Sequence, residues 1–428
     1  MLRYRAEHTL PKTRFGFFFT TMAFFILFVG GCTHYIPREK LMLDSCETNA
    51  CSEKIKLVAV PLPVIASSPN EGVTYGALSA FLFHDKNDEI STLLAPQINS
   101  NKSFGVTTTV YGATYFSPQR NIEYNLSQSS KVNHDYEFKI RDNTFLDNKL
   151  ELNAFIFKLS DGSSRFYGFQ AESDNDNETN YANDEVGINI SAGYNVTENL
   201  QFLIGDRFRH LDVKRGAIKK TPYIKDRFSR QDVPGLGGFT AHAPRLSVIY
   251  STLDSKDIPT TGYYAKFSME NSFKGLGSET NYRHYEAEVK GYYPFDNSRY
   301  ISVFRLMYNQ TLGHDVPFLE RSILGGETTL RGYGRNRFID NSFLLCNLEQ
   351  RIRLFRWEVF NVTADWEIAL FMDMGAVMES LDKMNANSLE VNPGIGFRAI
   401  VRPNIVGRVD LGVGKDGPAI FVGLGYPF

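Results

Sequence analysis

The sequence predicts an all-β fold: a transmembrane antiparallel β-barrel of about sixteen strands, with one long extracellular loop folded into the lumen. Three observations carry this. An export-type segment opens the chain, apolar and polar residues then alternate with period two from about residue 58 to the last residue, and the alternating runs are longer than the strands of soluble sandwiches. Composition agrees. Phe and Tyr number 34 and 22 against 2 Trp, a heavy aromatic content for a chain whose mean hydropathy is slightly polar. With 46 basic and 48 acidic residues nothing points to nucleic acid. A length of 428 residues could divide into two or three soluble domains, but one large barrel also accounts for it.

Residues 1–31 read as an export signal. Arg3, Arg5, Lys12 and Arg14 form a basic head, and the uncharged run FGFFFTTMAFFILFVGG follows. The run is long enough to span a bilayer as a helix, so a retained anchor is the alternative to cleavage. Small Gly30 and Gly31 favour cleavage, and V-G-G-C resembles a lipobox, which would lipidate Cys32; an ordinary signal-peptidase site nearby is the other reading. Residues 32–57 read as a short periplasmic linker. In it Cys46 and Cys51 suit a small disulfide loop of an exported protein, or two free thiols, rather than a metal site, since no His stands near. No metal and no cofactor is expected.

Residues 58–428 form the expected barrel domain. Val186, Ile188, Ile190, Ala192 and Tyr194 alternate with Glu185, Gly187, Asn189 and Ser191; Tyr285, Ala287 and Val289 alternate with His284, Glu286, Glu288 and Lys290. Lipid on one face and a watery lumen on the other explains the split, and closure leaves no unpaired backbone edge in hydrocarbon. From Val73 onward seventeen such runs can be counted. Single-chain barrels usually have an even number, so sixteen strands are expected, with one hairpin over-split between Asn121 and Ser160. The segment VAVPLPVIAS, with Pro61 and Pro63, reads as a lead-in or the edge of the seam. Connections alternate between tight (SPQR, HDKNDE) and long (161–183, 213–240 and 313–337), and the long ones should face outside. Cys346 falls on the apolar parity of a strand, where a thiol is a small hydrophobe.

The last strand, AIFVGLGYPF, places Ile420, Val422, Leu424, Tyr426 and Phe428 on one parity and stops on the aromatic. A terminal Phe on such a strand resembles the signal by which barrel-assembly machinery recognises its clients, which assigns Tyr426 and Phe428 to that signal and to the closing seam. Four stretches then carry a family resemblance: LRGYGRNRF at 330–338, YSTLDSKDIPTTGYYAKFS at 250–268, NLEQRIRLF at 347–355 and ALFMDMGAV at 369–377. In order and spacing they resemble the BamA/TamA superfamily, the bacterial surface antigen barrels. The resemblance covers about residues 64–428 and implies a bacterial outer-membrane location, five strands after the Arg-Gly-Tyr loop, and a role in inserting or translocating polypeptides. Members of that family carry periplasmic POTRA domains, for which residues 32–57 leave no room, so a form lacking them is expected.

Parity gives the loop a job. Glu349, Arg351 and Arg353 share the lumen side of their strand, and Asp373 shares the polar parity of Asp365 and Glu367. An arginine on a long loop can fold inside and grip those carboxylates with its bidentate fork. Arg331 is therefore expected to pair with Asp373 and Glu349, with Gly332 turning tightly at the wall and Tyr333 packing beneath; the resemblance implies the same anchoring. No HExxH, GxSxG or phosphate loop is present, so an enzyme is not expected. The expected activity is passage or insertion of a polypeptide or lipid client through a weakly paired seam between a first strand near Val73 and the last strand. A passive pore or structural barrel is the alternative. Expected partners are outer-membrane lipids, the assembly machinery, a client, and either a second copy or a separate POTRA-bearing chain.

Overall fold

The computed structural model describes residues 57–428 except 86–89, 118, 171–172, 174, 360–361 and 402–404. The expected signal, Cys32 and the Cys46/Cys51 pair lie outside the described residues. Eighteen strands form one antiparallel sheet, each paired with its neighbours in sequence, from Leu57–Ser68 round to Gly417–Leu424.

The polarity of the barrel is inverted, as lipid demands. Ile156, Ile188, Ile204, Phe267, Val289, Leu370 and Met372 are exposed on the outer face, while Glu270, Arg305, Glu349, Arg353, Glu367, Asp373 and Asp410 are buried within. A strand that buries its carboxylates and presents its aliphatics has a solvent order opposite to that of a soluble sandwich. Cys346 is a free thiol on the outer parity.

Eighteen strands stand where sixteen were expected, for two reasons. The runs between Asn121 and Ser160 belong to three true strands, Arg120–Ser129, His134–Phe145 and Leu150–Asp161. The proline-bearing segment is also a full strand, in unbroken register from Leu57↔Phe83 to Ser68↔Gly72. Pro61 and Pro63 lie two residues apart, so their missing N–H groups face the same way. That is harmless in an edge strand whose other side carries the ladder. Leu57–Ser68 therefore replaces the Val73 strand at the seam. It approaches Gly417–Leu424, but among the described residues no ladder joins the two.

Connections are short at one end of the barrel, as at 146–149, 196–199 and 296–299, and long at the other. The long end is extracellular. There the segments between Asp161 and Ala182, Lys214 and Phe239, and Gly313 and Ser342 share one apolar core, in which Phe166, Tyr181, Ile224, Leu236, Phe318 and Ile339 are buried together. Phe166 and Phe318 meet edge to face at 5.4 Å. The three loops thus form a packed cap rather than separate flaps.

Candidate functional site

The loop between Leu324 and Phe338 leaves the cap and descends into the lumen. Gly325 and Gly326 open it with φ of 112° and 103°, the left-handed region where a side chain would be strained. Gly326 N–H donates to Tyr333 O (3.1 Å) and Tyr333 N–H to Leu330 O (3.1 Å), closing a compact turn. Leu330, Tyr333 and Phe338 then pack with Phe343, Leu345 and Val377 of the wall. Tyr333 donates its hydroxyl proton to Glu390 and accepts from the Lys415 N–H at 3.2 Å.

This turn drives Arg331 into the wall. Its Nε and Nη2 donate to Asp373 Oδ2 and Oδ1, both at 2.8 Å, its backbone N–H adds a third bond to Asp373 at 3.1 Å, and Nη1 donates to Glu349 Oε2 at 2.8 Å. Asp410 Oδ1 stands 3.7 Å from Nη1, and the guanidinium lies 3.5 Å over the Phe371 ring. Arg331, Glu349 and Asp373 have at most 3% of their surface exposed. Asn347 donates to Asp373 and to Thr329 O, fixing the carboxylate from its other side.

Close approach is achieved by glycine on both sides. A Cβ on Gly332 would meet the Asn392 side chain at 2.7 Å, one on Gly412 would meet Arg331 O at 2.3 Å, and one on Gly414 would meet Gly332 O at 2.6 Å. The sequence reading singled out Gly332 but not its two counterparts on the wall.

The charge cluster extends further than sequence reasoning anticipated. Glu349 also takes Arg351 Nε at 2.9 Å and has Arg398 at 3.5 Å; Asp410 takes Arg398 at 2.7 Å and Arg408 at 2.9 Å. Four arginines and three carboxylates thus interlock in the lumen. Asp410 and Arg398 had no distinguishing signal beyond lumen parity, because which strands face one another depends on shear and tilt.

Arg351 carries the cluster toward the periplasmic mouth. It stacks 3.6 Å from the Tyr426 ring and donates to Pro259 O at 3.3 Å. Pro259 belongs to the connector 252–261, which turns inward around Asp254, the acceptor for the N–H groups of Thr260 and Thr261. The strand expected to run to Phe428 ends at Leu424. Gly425, with φ 78°, turns the last residues into the lumen, where Tyr426 OH donates to Glu367 at 3.2 Å and Tyr292 OH to Phe428 O at 3.4 Å. Beside them a cavity of about 870 Å³ remains, lined by Tyr111, Tyr115, Tyr264, Glu123 and Lys290 among others. Among the described residues no His, Cys, Asp and Glu cluster is arranged to hold a metal ion.

The loop also reaches both strands of the seam at its extracellular end. Asn70, in the first hairpin, donates to Arg335 O at 3.1 Å and accepts from Arg165 at 3.2 Å; Arg337 pairs with Asp416 of the last hairpin at 2.7 Å.

An outer-membrane barrel braced from within by its own loop arginine defines the class of protein. The Omp85 superfamily domain matches residues 103–406, and the chain belongs to that superfamily. It is an integral protein of the bacterial outer membrane. Among solved structures it is similar to BamA from Haemophilus ducreyi lacking POTRA domains 1–3, at 13% identity and TM-score 0.51, over 88% of this chain and 74% of that one. It is also similar to CdiB from Escherichia coli, at 10% identity and TM-score 0.56, over 86% and 67%. These likenesses are of fold.

Proposed function

We propose that the protein inserts or translocates polypeptides at the outer membrane, using the seam between Leu57–Ser68 and Gly417–Leu424 as the working edge and the Arg331 loop as an internal strut. The observation that carries this is the seam. Among the described residues all other neighbouring strands are joined by ladders, whereas these two approach without one, and the last is only eight residues long. Backbone groups on such edges can exchange hydrogen bonds with an incoming strand at little cost, because they lose no native ladder. The strut would keep the remaining wall in shape while the edge is engaged, which is a reason to bury so many charges in one cluster. Tyr426 and Phe428, turned inward, place the end of the last strand against the same cluster. Membership of a superfamily that includes insertion and secretion barrels agrees with this reading.

The alternative, a passive pore, fits poorly with a mouth capped by three packed loops. Depletion of the protein followed by quantitative proteomics of the outer membrane distinguishes the two. Loss of particular barrels or surface polypeptides is the expected result. An unchanged outer-membrane proteome, with altered small-solute uptake instead, would overturn the proposal.

A further inference from the structure

We propose that the extracellular loop from Lys214 to Arg230 is a docking surface for the phosphorylated glycolipid of the outer leaflet, lipopolysaccharide. The chain as a whole is nearly neutral, with formal net charge −2, yet KRGAIKKTPYIKDRFSR holds seven Lys or Arg and a single carboxylate, Asp226. All seven cations are exposed. Their local compensation is weak: Lys214 pairs with Asp184, and Arg215 stands 3.5 Å from Asp226 in a pair whose side chains are 70% and 57% exposed, where water screens most of the attraction. Among the described residues Lys219, Lys220 and Arg230 have no carboxylate at ion-pair distance.

The charge is displayed on a fixed frame. Ile224 is buried in the cap with Tyr223 and Phe228 packed against it, Phe228 meets Phe166 edge to face at 5.1 Å, and Lys225 donates to Val213 O at 2.7 Å. A loop pinned at three apolar points presents its cations without the ordering cost that a free tail would meet on binding. Its position matters as much. On the strand Leu200–Lys214 the outward residues begin with Phe202 and Ile204, exposed to lipid, and then turn polar, with Asp206 paired to His242, exposed Phe208, and His210, Asp212 and Lys214 following on the same parity. The loop therefore starts where the apolar band gives way to headgroups. Phosphates held in that plane are concentrated beside the patch by the membrane itself, which favours a lipid-borne polyanion over a dissolved one.

The test uses the full chain in detergent, titrated with lipopolysaccharide, with phosphatase-treated lipopolysaccharide and with soluble polyphosphate. The wild type should bind the phosphorylated lipid with an affinity that falls steeply as salt rises. The triple variant Lys219→Gln, Lys220→Gln, Arg230→Gln should bind at least about tenfold more weakly, and phosphatase treatment should remove the difference between the two proteins. Heat-modifiable mobility reports whether the variant is folded; if it is not, Lys219→Glu and Lys220→Glu singly carry the same expectation. Equal binding by wild type and variants, indifference to phosphate removal, or polyphosphate binding as tightly as the lipid would each overturn the proposal.

Discussion

Arg331 spends three guanidinium nitrogens and its own backbone N–H on two carboxylates, a pattern that no other side chain can reproduce. Lysine would deliver one point charge in place of a planar fork, so Arg331→Lys should lose most of the anchoring despite keeping the charge. Arg331→Ala leaves Asp373 and Glu349 buried with one cation fewer, a change that costs about 3–5 kcal/mol when a buried pair is broken. The temperature at which heat-modifiable mobility is lost in detergent measures this, and both variants should lower it, alanine more. Asp373→Arg should do the same by crowding a cation against Arg331. Combining Arg331→Asp with Asp373→Arg should restore only part of the loss, because the new carboxylate would stand beside Glu349 and Asp410. Losses that simply add in the double variant would remove the direct interaction from the account.

At the scale of elements, the cap has its own acid-sensitive rivet. Glu320, in the connection between Gly313 and Ser342, accepts from Arg207 Nη2 at 2.7 Å and from Tyr282 OH at 2.5 Å, with Arg209 Nη1 at 3.1 Å. Burial would raise its carboxyl, but Arg207 and Arg209 outweigh burial and hold it at about 2. Because the folded value is depressed below the usual 4.5, the stabilisation is complete above about pH 5 and is lost as pH falls from there toward 2. Protection against hydrogen exchange in 161–182 and 313–342, taken relative to the intrinsic exchange rate at each pH, should therefore fall on acidification in the wild type. In Glu320→Gln that protection should be low already at neutral pH and should change little over that range; unchanged acid sensitivity in the variant would place the rivet elsewhere. Sequence alone left this element unread, since Glu320 lies in an irregular connection where no period marks which side chains turn inward. The strands were legible because lipid enforces period two, and the lumen parity of Glu349 and Asp373 follows from the same rule. The first strand was not, because proline signals a breaker unless the strand is already known to be an edge. Gly425 shows the converse problem. Glycine there reads as a weak strand residue, whereas its positive φ turns Tyr426 and Phe428 into the lumen.

For the whole molecule the decisive quantity is how much of the lumen is filled. Barrels of sixteen to eighteen strands enclose an aqueous channel when their interior is left open. Here the cap covers the extracellular mouth, the Arg331 loop crosses the interior, and the connector 252–261 and the residues after Leu424 narrow the periplasmic mouth. What remains includes two adjoining spaces of about 870 and 500 Å³, which share Asn121, Glu123, Leu203, Ile249 and Tyr264 in their linings. An ion crossing the barrel meets the packed cap and, on the side of the strands from Ser342 to Gly414, the Arg331 cluster, whose seven charged groups are nearly all withdrawn from water. The wild type reconstituted in a planar bilayer should therefore conduct rarely and briefly. Replacing residues 326–336 by a short Gly-Ser linker removes the strut while leaving the strands and most of the cap core in place, and should give large, long-lived openings. Arg331→Ala, which loosens the same loop without deleting it, should fall between the two, with flickering openings. Steady porin-like conductance in the wild type, or no gain on removing the loop, would mean that the obstruction lies in the cap or at the periplasmic mouth and that the loop braces the wall without blocking the channel.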